Sequence, residues 1–183
     1  MSEKTTSPAR NDIVWIARTA IFIALLVAAQ WATRPLGQFV TGSAVNLILA
    51  VSVMTVGLSS GMIVAAISPM MAAMLGIAPN FVFAPFIAAG NIAFVILWYF
   101  IGNINKDNKY VAWIIAMITA AAVKFLVLYL GVARYAIPVI IDPPNPDAAA
   151  NMIRMFSIPQ FVTALIGGAL AILILPVLKK AIR

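Results

Sequence analysis

The chain has 183 residues, 64% hydrophobic and 9% charged, with a mean hydropathy of +1.07 and a formal net charge of +7. A soluble domain carries about 25% charged residues, so this composition excludes a soluble globular protein and imposes the rules of the bilayer. The absence of cysteine and histidine excludes disulfides, thiolate metal sites and histidine relays.

In chain order, "MSEKTTSPARND" is polar, and residues 1–13 are expected to form a cytoplasmic tail ahead of one membrane domain over 14–183. No small-residue cleavage site follows a short apolar region, so the first apolar segment is read as a retained span. A spanning helix needs roughly 20 mostly apolar residues. Six segments come close: 14–33, 43–58, 60–77, 81–102, 110–133 and 157–178. The second and third are separated only by "GLSSG", read as a tight turn at Gly57 and Gly61. The expected fold is an all-α, polytopic bundle of six transmembrane helices with a long outer loop, 133–156, between spans 5 and 6. Within that loop, Asn145 should cap a short helix beginning at Pro146, and 146–155 reads as an amphipathic lid over the outer mouth. Asn80 should cap span 4.

Basic residues orient this bundle. Lys4, Arg10, Arg18, Lys106, Lys109, Lys179, Lys180 and Arg183 fall on the side of the termini, against Arg34, Arg134 and Arg154 on the other. The positive-inside rule then places both termini in the cytoplasm. The same rule accounts for the net charge without nucleic acid.

The spans hold no Asp, Glu or His. Proton relays and many ion-coupled transporters need such residues in the membrane, and hydrolases need a nucleophile with a base or metal ligands. A Ser–Lys pair of Ser52 or Ser68 with Lys124 has no supporting signature. No glycine-rich phosphate loop is present either. The chain is therefore expected to be no enzyme, to hold no metal or cofactor, and to draw any transport energy from elsewhere.

The remaining polar residues gather in the outer half. At 1.5 Å per residue, Lys124 in "ITAAAVKFLVLYLG" lies about 13 Å and Asn91 about 15 Å from the outer ends of their spans. Lys124 either snorkels to the interface or faces a hydrated cavity and an anionic solute. Asn91 is the second candidate binding residue, and Asn46, Gln160, Tyr129, Tyr135 and Arg154 follow. Gln160 also fits a capping box with Ser157 in "SIPQ". Trp98 and Trp113 read as interface anchors. Pro69 in "AAISPMMAAML" should kink span 3 and free a carbonyl. In span 1, Ala20, Ala24 and Ala28 recur every four residues, a spacing that lets helix backbones approach closely, within the bundle or against another subunit.

The size, the six spans, the outer loops, the alanine spacing of span 1 and the stretch "GQFVTGSAVNLILAVSVMTVGLSSG" together resemble the substrate-binding S components of energy-coupling factor (ECF) transporters, over nearly the whole chain. That resemblance implies a multi-pass protein of a prokaryotic cell membrane that binds a vitamin-like micronutrient at its outer face. It further implies import with a transmembrane coupling subunit and two ATPase subunits, the first docking on Ala20, Ala24 and Ala28. A self-contained oligomeric facilitator and a non-transporting assembly subunit are the other classes compatible with the residues.

Overall fold

The computed structural model describes residues 8–77, 80–104 and 107–181. These contain no strand. Seven helices follow in order: α1 (Pro8–Thr33), α2 (Gln38–Val56), α3 (Leu58–Met74), α4 (Ala84–Gly102), α5 (Lys109–Leu128), α6 (Pro146–Met155) and α7 (Ile158–Ala181). Tight turns over Arg34–Leu36 and Phe81–Phe83 precede α2 and α4. Residues 1–7 of the expected tail, and Lys4, Lys106 and Arg183 among the orienting charges, lie outside the described residues. Residues 8–13 of that tail are already helical.

Helix breaks fall where the backbone needs glycine. Gly37 (φ +85°) and Gly57 (φ +117°) occupy the left-handed half of φ space, which costs glycine no steric clash. Gly57 alone divides α2 from α3, so the expected "GLSSG" turn shrinks to one residue. Gly61 lies inside α3, where a Cβ would stand 2.6 Å from that of Val53. The expected caps form: Asn80 Oδ1 accepts from Val82 N at 2.9 Å, and Asn145 Oδ1 accepts from Ala148 N at 2.8 Å with Pro146 opening α6.

Five helical segments are long and apolar enough to cross a membrane: Asn11–Leu36, Gln38–Val56, Phe81–Gly102, Lys109–Ile141 and Pro146–Ala181. The remaining apolar helix, Leu58–Met74, has 17 residues, about 26 Å against a hydrocarbon core of about 30 Å. The expected long outer loop is mostly helix instead. Beyond Leu128 the chain keeps winding, in a wider helix, over Tyr129–Ile141, and Asp142 N closes it onto Ile137 O at 3.0 Å. The reason is a second apolar cluster: Val132, Ala136 and Ile137 on this extension, with Leu128 at the end of α5, pack with Phe83 and Phe156. Burial there rewards helix where a loop was expected.

The long helices pack as a ring, α1–α3–α4–α5–α7, closed by α2, which touches both ends and also reaches α3 and α4. The α2–α7 seam is the most extensive because α7 presents glycine to it. A Cβ at Gly167 would stand 2.5 Å from Ser43 O and 2.7 Å from Asn46 Cβ. Leu49, Phe94, Val95, Ala116, Ala120 and Ala164 fill the main core. Trp98 and Trp113 belong to it as well, at 0% and 3% exposure, which corrects their reading as interface anchors. Trp98 packs against Phe94, and Trp113 against Tyr110 and the Lys179 ammonium.

Candidate functional site

A cavity of about 240 Å³ opens at the end of the bundle away from both described chain ends. Its wall draws on the C-terminal parts of α1 and α3 (Gln30, Ser68, Pro69), on Arg34 of the turn after α1, and on the N-terminal parts of α2, α4 and α7 (Gln38, Thr41, Asn46, Asn91, Gln160). Lys124 of α5 completes it, with Met155 and Phe156 from the end of α6. Typical pockets for drug-sized molecules run about 300–1,000 Å³, so this one suits a smaller solute.

Lys124 is 3% exposed, which decides between the two readings of its side chain: it turns into the bundle and does not snorkel to the membrane interface. Its Nζ donates to Asn46 Oδ1 at 2.6 Å and lies 5.5 Å from the centre of the Phe94 ring, a cation–π contact. Asn46 is held in turn, because its Nδ2 donates to Gly42 O at 2.8 Å. Both amide ends are thus engaged, and Asn46 presents its oxygen to the ammonium. The glycine seam with α7 presses on the same residue through Gly167. Among the described residues, Lys124 and Arg34 are the charged ones of the wall, and no Asp or Glu lines it.

Asn91, at 1% exposure, donates through Nδ2 to Ala65 O over a long 3.5 Å, and its Oδ1 has no partner. Gln30 donates to Ser68 Oγ at 3.4 Å, and its Oε1 is likewise unpaired. At the mouth, Gln38 Nε2 (2.6 Å) and Gln160 Nε2 (3.0 Å) both donate to Met155 O. Together they fasten the end of α6 over the cavity, and Phe156 seals it against Phe83 with ring centres 5.0 Å apart. The expected Ser157–Gln160 capping box does not form. Ser157 Oγ donates back to Ile153 O while Gln160 reaches Met155.

Of the residues singled out from sequence, Lys124, Asn91, Asn46 and Gln160 share this wall; Tyr129, Tyr135 and Arg154 do not. Tyr129 stacks on Phe125 under the Arg134 guanidinium, Tyr135 leans on Phe86, and Arg154 is exposed on α6. Gln30, Arg34, Gln38 and Ser68 also line the cavity, though none was expected from the sequence as a binding residue. Gln30 carried a readable signal, a lone amide in the apolar run "VAAQWAT".

A second concavity lies outside the bundle. Ala20, Ala24 and Ala28 face outward from α1, all exposed, and with Ile23, Val27, Trp31, Met71 and Leu75 they border an open apolar groove of about 720 Å³. The small residues of α3 and α7, by contrast, are consumed inside: Ala65, Ala72, Ala164 and Gly168 are buried.

A bundle of apolar helices around a solute-sized cavity, its largely apolar wall set with a few polar groups, is the architecture of a multi-pass membrane protein. The family model described as "ECF transporter, substrate-specific component" matches residues 15–179, and the chain belongs to that family. It is a transporter subunit, works with an ECF module on a small-molecule substrate, and is not an enzyme. No curated protein and no solved structure matched the chain.

Proposed function

We propose that this chain binds a small, water-soluble, vitamin-like micronutrient bearing a carboxylate or phosphate, at the outer face of a prokaryotic cell membrane. Import then proceeds with a module of one transmembrane coupling subunit and two ATPases, and both termini lie in the cytoplasm. One observation carries the anionic assignment: the buried Lys124 ammonium meets a neutral amide in a wall to which no described carboxylate contributes. A cation at bilayer depth costs at least about 2.5–3.5 kcal/mol, and an amide dipole offsets only part of that. Of its three N–H donors, Asn46 takes one. The others suit an oxyanion, and Arg34 at the mouth adds positive charge toward which an anion is drawn.

Asn91 would orient the solute, Gln160 and Gln38 would hold the lid over it, and Asn46 would position Lys124. Ala20, Ala24 and Ala28 would dock the coupling subunit, since a small-residue face lets a partner helix approach closely where lipid gives no hydrophobic drive.

Lys124→Met tests the reading. Losing one partner of a buried charged contact costs about 2–5 kcal/mol, so solute affinity should fall at least about thirtyfold while the variant stays folded. Unchanged affinity would sink the anchor role.

A further inference from the structure

Pro69 has no N–H, so it leaves Ala65 O, four residues back in α3, without its helical donor. Asn91 Nδ2 takes that place from α4. A carbonyl only accepts, so Ala65 can face only the NH₂ end of the amide, and this fixes which way Asn91 points. Gln30 is not fixed in this way, because Ser68 Oγ can donate or accept. The result at Asn91 is a side chain in the cavity wall whose Oδ1 is buried and lacks a donor. No described residue supplies one, and because Asn91 lines the cavity, that is the side from which a bound molecule could.

The geometry points to a solute that carries an N–H or O–H donor besides its anionic group, with Asn91 Oδ1 reading the donor and Pro69 acting as the positioning residue that sets Asn91 as an acceptor. This rests on the proposed anion site at Lys124 and narrows it. Donor-free oxyanions, such as simple alkanoates, satisfy Lys124 and leave Asn91 unpaired. A compact carboxylate with an amide N–H or a hydroxyl satisfies both, and its size is bounded by the 240 Å³ of the cavity.

The test uses the full chain purified in detergent and two matched pairs of small carboxylates at up to millimolar concentration. The pairs are N-acetylglycine against N-acetylsarcosine, and 3-hydroxybenzoate against 3-methoxybenzoate. Within each pair a methyl group replaces the donor hydrogen. The wild type is expected to prefer the donor-bearing member by about tenfold to a hundredfold, the effect of leaving a buried acceptor unpaired. Asn91→Leu should bring that ratio close to one. Pro69→Ala should shrink it too, because the restored N–H reclaims Ala65 O and lets the Asn91 amide turn. Equal binding of both members by the wild type, with loss of both in Lys124→Met, would overturn the donor assignment and leave the anion site standing. Binding by neither pair, or binding indifferent to Lys124→Met, would overturn the anion site and this inference with it.

Discussion

Two concave surfaces of the molecule differ in the polar groups they carry, although α1 contributes to both. Its inner face gives Gln30 to a cavity at one end of the bundle whose wall carries several polar side chains. Its outer face gives Ala20, Ala24 and Ala28 to an apolar groove that no described element fills. In a bilayer an exposed apolar surface is no liability, since lipid solvates it. The informative feature of the groove is therefore its shape. Elsewhere small residues are spent on internal contact, as at Gly167 against α2. On α1 they remain unspent. The cavity differs in the reverse sense: its surface is chemically costly, with a buried ammonium and unpaired amide oxygens, and that cost is understandable where a solute offsets it. One surface is open and apolar, and the other gathers polar side chains in its wall.

The strongest way to break the comparison is to disturb the seam behind the cavity. Gly167→Val puts a Cβ 2.5 Å from Ser43 O, and overpacking of this kind costs about 1–3 kcal/mol or more. Thermal unfolding in detergent should show a marked drop in midpoint together with loss of solute binding, because Asn46 is displaced too. A variant as stable and as competent as wild type would show that the seam does not position the site. Asn46→Leu is next. It removes the hydrogen bond to Lys124, worth about 1.5–3 kcal/mol for a charged partner, and denaturation without solute should report a loss of that size. Gln38→Leu is the smallest and sharpens the comparison. Met155 O keeps Gln160 as a donor, so one bond of about 0.5–1.5 kcal/mol is lost. Stopped-flow release of solute should quicken by about two- to tenfold. Unaltered release would show that this bond does not hold the lid.

Much of this architecture was legible in the sequence because bilayer chemistry leaves few options. Apolar runs gave helices α1 to α5 and α7, although α1 and α2 begin six and five residues earlier than expected, and "PPNPD" gave the start of α6 through its capping asparagine and proline. The extension to Ile141 was not legible. A span ends on paper where a bilayer thickness is used up, and only the contact with Phe83 and Phe156 rewards the further turns. Within the site, Lys124 and Asn91 stood out because a polar group is rare in an apolar span. Arg34, Gln38 and Ser68 did not, since loop and small hydroxyl residues carry no such contrast. Trp98 and Trp113 misled because depth along a helix says nothing about which face turns inward. Pro69 was visible as a kink, whereas its link through Ala65 O to Asn91 needed two helices side by side.

The most direct measurement takes wild type, Lys124→Met and Ala24→Trp through one purification from cells that also make the ECF module. Mass spectrometry of each denatured sample reads the retained solute, and the same samples report the amount of coupling subunit recovered. The account predicts a dissociation of the two surfaces. Wild type retains an anionic solute and the subunit, Lys124→Met keeps the subunit and loses the solute, and Ala24→Trp keeps the solute and loses the subunit. Equal solute occupancy in wild type and Lys124→Met, or full recovery of the subunit with Ala24→Trp, would contradict it.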